Sequence, residues 1–203
     1  NCDMYKVKVN GRTVNFSTKD NYSKHWFYPR YNGQIHEPST TEIATHLSKN
    51  AENIIDVGAN LGWMTCITAS ISDGTVHAFE MDKENLRRLE RNVALNDLEN
   101  VRVIHAAVSN SQGCVSYYKD PDSAGAGYGV HKKKEDETER VRVRAITLDR
   151  YVKKHCQSVE LIKVDVEGAE QMVLEGGQNT IKKHHPHILL EVHPNNLKRS
   201  KKK

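Results

Sequence analysis

An α/β fold is predicted by three features of the sequence, and it should be built on a doubly wound, mostly parallel sheet of Rossmann-like type. Short apolar strands alternate with helical patterns from Asn53 onward, a glycine-rich turn directly follows the first of these strands, and an acidic residue ends the second. With 203 residues the chain suits a single core. The expected division is an N-terminal hairpin and aromatic segment over residues 1–36, a main domain over 37–195, and a disordered basic tail over 196–203.

Taken in order, Tyr5 to Val9 and Thr13 to Phe16 alternate polar and apolar residues about Asn10-Gly11, the dipeptide of a tight hairpin. An irregular aromatic stretch holding Trp26, Phe27, Tyr28 and Tyr31 follows. Ser39 with Glu42 reads as a capping box that opens a helix to about Lys49. Asn53–Val57 is then a strand, Trp63–Ile71 a helix and Thr75–Phe79 a strand. Asp82 caps a helix carrying Leu86, Leu89 and Val93 on one face, and Val101–His105 is the next strand. Two β-rich pieces, Val115–Lys119 and Val141–Ala145, flank a Gly-rich segment around Gly125 and a mixed-charge run from His131 to Arg140. The parallel pattern resumes with a helix near Leu148–Lys154, a strand over Glu160–Val164, a helix from about Ala169 and a strand over Ile188–Val192.

The net charge of +4 is smaller than the contribution of Lys198, Arg199, Lys201, Lys202 and Lys203 alone, so the body is near neutral and charge does not imply nucleic-acid binding. No apolar run is long enough to span a membrane. Cys2, Cys66, Cys114 and Cys156 lie too far apart for zinc spacing or a dense disulfide framework, which points to a reducing, cytoplasmic compartment. The first residue, Asn1, is not a methionine, as expected of a domain cut from a longer polypeptide or a trimmed start.

In an open parallel sheet the ligand lies beyond the carboxyl ends of the strands, where strand order reverses. The first such loop is Asp56-Val57-Gly58-Ala59-Asn60-Leu61-Gly62. Its glycines have three residues between them, with Asn60 where a dinucleotide fingerprint needs a glycine, and Asp56 would repel a phosphate. The same charge suits the ammonium group of S-adenosylmethionine, and backbone N–H groups of the following helix would receive the cofactor's carboxylate. Glu80, some twenty residues on, is placed to hold both ribose hydroxyls, and Ala106 and Ala107 beside Met81 leave a slot for adenine. Each feature alone is commonplace; their order along the strands is what carries the reading.

The loop, the Phe79-Glu80 acid, Asn92 with Asn96, Ala107-Val108-Ser109, Thr147-Leu148-Asp149, Ile162 to Glu170 (IKVDVEGAE) and Leu190-Glu191-Val192-His193-Pro194 together resemble the FkbM family of S-adenosylmethionine-dependent methyltransferases. The resemblance runs from about Glu37 to Pro194, and its most specific part is the Lys-x-Asp-x-Glu-Gly-x-Glu block. It implies a class I methyltransferase fold and a hydroxyl acceptor, often on a sugar, and makes Glu37 a further cofactor contact. Two departures stand out. No acid follows the third strand to bind adenine, and the chain stops soon after its fifth core strand, so the usual last two strands are absent or the N-terminal hairpin covers that edge.

A protonated sugar hydroxyl is a poor nucleophile, so a general base is expected within hydrogen-bond reach of it. Asp165 and Glu167 are the first candidates and His193 the third; the alternatives are a first-turn acid for Glu167 and an ordinary hydrogen-bonding histidine for His193. His184, His185 and His187 with His193 lack a recognised metal spacing, and Mg²⁺ on Asp165 with Glu167 or Glu191 is the less favoured route to activating the acceptor. The Gly125–Val130 loop and the Trp26–Tyr31 stretch are expected to form the acceptor pocket, although the aromatics would equally serve to pack the N-terminal segment. The expected partner is a carbohydrate or glycoconjugate, a hexose or deoxyhexose, met by one domain of a larger glycan-building polypeptide. Rival readings are methylation of RNA, protein or a small-molecule hydroxyl, a non-catalytic binding module, and a nicotinamide dehydrogenase.

Overall fold

The computed structural model describes residues 4–31, 34–119, 128–129 and 139–192. The expected hairpin is present: β1 (Met4–Val9) and β2 (Arg12–Ser17) pair antiparallel about Asn10 and Gly11, both with positive φ as a type I′ turn requires. A π-helical turn (Tyr22–Phe27) and a 3-10 turn (Tyr28–Tyr31) follow. The main domain comprises α1 (Pro38–Ser48), β3 (Asn53–Val57), α2 (Trp63–Ile71), β4 (Thr75–Glu80), α3 (Lys83–Leu95) and β5 (Val101–His105). It continues through β6 (Ala107–Val108), β7 (Gly113–Lys119), β8 (Tyr128–Gly129) and β9 (Glu139–Ile146) to α4 (Leu148–His155), β10 (Leu161–Val164), α5 (Glu170–Gly176), α6 (Gln178–His184) and β11 (His187–Leu190).

Five parallel strands form the central sheet in the order β11-β10-β3-β4-β5. The chain winds outward from β3 to β5 and then crosses back to β10, so the order reverses between β3 and β10. Ile55, Val57, Phe79, Ile162 and Val164 face α4 and α5, whereas Ile54, Val76 and Leu161 face the opposite layer with Ala69 of α2. Alternate strand residues thus feed two cores, as a sheet covered on both faces demands. The flanking pieces predicted between residues 113 and 146 pair with each other, Val115 opposite Val143, in a second sheet of order β6-β9-β7-β8. The Gly-rich loop between them lies outside the described residues except for Tyr128 and Gly129.

Three expectations need correction. The capping box is not made: Pro38 takes the first helical position, Glu37 is the cap in a left-handed conformation, and Ser39 falls inside the helix. Proline's fixed φ suits that first position, and the Thr41 hydroxyl instead donates to the His36 carbonyl. The helix expected from Ala169 is two helices, divided at Gly177. A side chain at Gly176 would collide with the Ser109 carbonyl, so the chain turns where it can approach that backbone. Lastly, the hairpin does not cover the β11 edge. Val7, Val14 and Phe16 pack on Leu61, Trp63 and Ile67 of the α2 region. Asn92 of α3 and Asn96, the cap at its C-terminus, fasten it there: their Oδ1 atoms accept from Ser17 N at 2.8 Å and Asn15 N at 2.7 Å, which gives the open edge of β2 side-chain partners. Among the described residues, no helix is long and apolar enough to cross a membrane.

Candidate functional site

A cavity of about 360 Å³ opens at the carboxyl ends of β3, β4 and β10, where the strand order reverses. Gly58, Asn60, Glu80, Met81, Ala106 and Ala107 line it, with Glu37, Asp165 and Glu167 on the same wall. The second sheet contributes Val115, Ser116 and Tyr117, and the N-terminal segment contributes Tyr22, Phe27, Arg30 and Tyr31. Phe27 is both buried in the hairpin core and at the border of the cavity.

The loop after β3 is held from two sides. Gly58 N and Ala59 N donate to the Phe79 carbonyl at 3.0 and 2.9 Å, and Asp165 N donates to Val57 O at 3.0 Å. A Cβ on Gly58, whose φ is +83°, would stand 1.9 Å from the Asp165 carbonyl oxygen. What packs against this glycine is thus the loop after β10. Gly62 lines no part of the cavity; it begins α2 with φ +90°, and a Cβ there would meet Leu89 at 2.6 Å. Leu61 is buried in the hairpin core and reaches only a smaller adjoining recess. Both residues, read from the sequence as cofactor contacts, shape the turn from behind.

Asp56 is likewise not on the cavity wall. It is 1% exposed, its Oδ2 accepts the Thr65 hydroxyl, and its Oδ1 lies 4.0 Å from Lys163 Nζ. The pairing follows from strand register, since Lys163 on β10 stands directly opposite Asp56 on β3. Lys163 also donates to Asp165 Oδ2 at 3.2 Å. Burial opposes the charge on Lys163, but Asp165, Asp56 and Glu37 together hold its ammonium above the ordinary lysine range. The sequence reading missed this lysine as a site residue, although a lone cation inside the apolar strand Leu161-Ile162-Lys163-Val164 was the available signal.

Glu80 lies at the cavity with 6% exposure, its Oε2 accepting from Asn60 N at 2.8 Å and its Oε1 from Asp82 N at 2.7 Å. Burial pushes its carboxyl up to about 7 against the pull of those N–H groups. Each oxygen keeps a second lone pair. Asp82 then caps α3, as predicted, by accepting from Glu84 N and Asn85 N.

Three non-glycine residues on the cavity wall have left-handed backbone: Glu37 at φ 47°, Asn60 at 52° and Glu167 at 51°. Asparagine tolerates this region; glutamate rarely enters it. Glu167 is not a first-turn acid, because α5 begins at Glu170, and it is Glu170 that braces the turn by accepting from Gly168 N at 2.9 Å. Beside Glu37, the His36 ring is enclosed by Phe27, Tyr31 and Trp63, and burial together with Lys163 pushes the imidazole down to about 4. Burial raises the Glu37 carboxyl, with Lys163 pulling the other way. His193 lies outside the described residues. Among the described residues, no group of three or more His, Cys, Asp or Glu side chains is arranged to hold a metal ion.

Other motif residues serve the scaffold. The Thr147 hydroxyl caps α4, and the Asp149 carboxylate accepts from Asn179 N and Thr180 N at 3.1 and 2.7 Å, so it caps α6.

A search of curated protein sequences finds no match. Among solved structures, a Streptococcus mutans protein in complex with SAH superposes with a TM-score of 0.50 at 9% identity, over 81% of this chain and 76% of that one. An rRNA methylase from Streptococcus thermophilus gives 0.49 at 10% identity, over 83% of this chain and 80% of that one. A methyltransferase from Geobacter sulfurreducens gives 0.34 at 19% identity, over 39% of this chain and 44% of that one, so the chain spans less than half of that relative. The fold is the Rossmann-like class I methyltransferase fold. The model of the methyltransferase FkbM domain matches residues 56–201, most of the chain, which therefore belongs to the FkbM methyltransferase domain family.

Proposed function

We propose that this protein is an S-adenosylmethionine-dependent O-methyltransferase that acts on a hydroxyl of a sugar, a hexose or deoxyhexose of a glycan. The observation that carries the reading is the one cavity in which the strand-end acid Glu80, the turn at Gly58 to Asn60, the Ala106-Ala107 slot and the candidate bases Asp165 and Glu167 all meet. The side-chain chemistry fits the donor. Asn60 Oδ1 is buried without a hydrogen-bond partner, and the carboxylates on the wall suit a hydroxyl-rich cation but not a pyrophosphate.

The bound donor would supply an electrophilic methyl group. Glu80 would hold the ribose through its remaining lone pairs, and Met81, Ala106 and Ala107 would border the base. Gly58 and Asn60 set the floor of the methionine end; Asp56 acts from beneath by fixing Lys163. Asp165 or Glu167 would take the acceptor's proton as the oxygen attacks, and the half-buried Tyr31 ring would border a sugar while the buried Tyr22 and Phe27 help to exclude water. The glycan context, in which the chain is one domain of a larger glycan-building polypeptide, is part of the same proposal.

Hexoses and deoxyhexoses incubated with methyl-labelled S-adenosylmethionine are expected to gain label, read by mass spectrometry. Asp165→Asn is expected to keep donor affinity within a few-fold and lower turnover by at least ~100-fold. Transfer to RNA or protein in place of any sugar would overturn the acceptor assignment, and a fully active Asp165→Asn would remove Asp165 as the base.

A further inference from the structure

The charge of the cavity opposes the charge of the chain. The protein carries a formal +4, yet Glu37, Glu80, Asp165, Glu167 and Glu191 line a single cavity whose cations are Arg30 on its wall and Lys163 in the adjoining recess. His36, on the same wall, is held neutral at pH 7 by its burial. The strand order spreads these carboxylates along one direction. Glu80 ends β4, Asp165 follows β10 on the other side of β3, and Glu191 follows β11 one strand further out. With neighbouring strands about 4.8 Å apart, a ligand whose ribose rests at Glu80 runs along a row of acids as it extends across the strand ends. Glu37 closes this row from α1, and Lys163, Glu191 and Asp165 are the charges that act on it most. Low-dielectric walls strengthen such a field relative to open water.

Methyl transfer removes one unit of positive charge from the donor's sulfur. The carbon–sulfur bond breaks with its electron pair kept by sulfur, a carbon–oxygen bond forms, and the acceptor's proton passes to the base. The departing thioether is therefore the donor less its methyl group and less the positive charge that the row of acids faces. We infer, resting on the methyl-donor reading above, that the row of carboxylates makes this cavity bind the sulfonium donor in preference to its own thioether product. Donor charge then drives exchange after each turnover, and product inhibition is weak.

Calorimetry at pH 7.5 and low salt, with S-adenosylmethionine, S-adenosylhomocysteine and the amine-bearing analogue sinefungin, tests the inference without knowledge of the acceptor. S-Adenosylmethionine and sinefungin are expected to bind at least tenfold tighter than S-adenosylhomocysteine. Glu191→Gln, at an exposed position, is expected to weaken S-adenosylmethionine about threefold and leave S-adenosylhomocysteine unchanged, so that the ratio shrinks. Binding of S-adenosylhomocysteine as tightly as the donor, or an equal loss for both ligands in Glu191→Gln, would overturn the inference while leaving the methyl-donor reading intact. Binding of neither compound would remove that reading and the inference with it.

Discussion

At the end of β3, Asp56 is sealed from water opposite a cation; at the end of β4, Glu80 is nearly as deeply buried and rests on backbone N–H groups. Burial raises both carboxyls, but at Asp56 the Lys163 ammonium, itself held above its usual range, and the Thr65 hydroxyl pull the other way. Dipoles alone leave Glu80 at about 7. Two acids a strand apart therefore differ in kind: one faces a cation beneath the cavity floor, and the other titrates near neutrality at the cavity wall.

The contrast breaks most severely at Lys163. Lys163→Met leaves Asp56 buried beside an apolar chain, and equilibrium urea unfolding is expected to show a loss of about 3–5 kcal/mol. Adding Asp56→Asn should recover part of it, and a double variant no more stable than the single would mean that the two charges are not coupled. Glu80 gives the next effect, in stability against pH. Its folded pKa of about 7 exceeds the unfolded value of about 4.3, so the native state binds the extra proton between them. The contribution is full below about pH 4.3 and is lost as pH rises through 7, a fall of roughly 4 kcal/mol at most. Glu80→Gln is expected to flatten this part of the profile; an unchanged slope would assign it to another group. The smallest effect is at Glu167. Relief of its left-handed backbone in Glu167→Gly should raise stability by about 1 kcal/mol, seen as a higher Tm, while methyl transfer falls; a lower Tm would show that the carboxylate's own contacts outweigh the strain.

Much of the fold is legible where the determinants are local. Asn10-Gly11 carries its own turn preference, Asp82 its own cap, and the strands from Asn53 to His105 their own apolar runs bounded by breakers. Pro38 shows how a local rule fails: the Ser39 and Glu42 signal is real, but a proline one residue earlier is already suited to start the helix. Site residues were legible by position on a strand end, as at Glu80 and Asp165, but not by direction. Whether Asp56 looks into the cavity or down onto Thr65 depends on the parity of its strand and on what β10 places opposite, which no short window contains. Lys163 escaped for the same reason, and Asn92 and Asn96 took their meaning only once β2 lay beside them.

The pairing of β3 with β10 joins segments separated by half the chain, with the entire second sheet between them. The succession from β3 to β5 closes through short crossovers, whereas β10 must wait for that long excursion to be gathered in. Refolding is therefore expected to regain helical signal before ligand affinity, with ion-pair formation across the central seam as the event that completes the receptor.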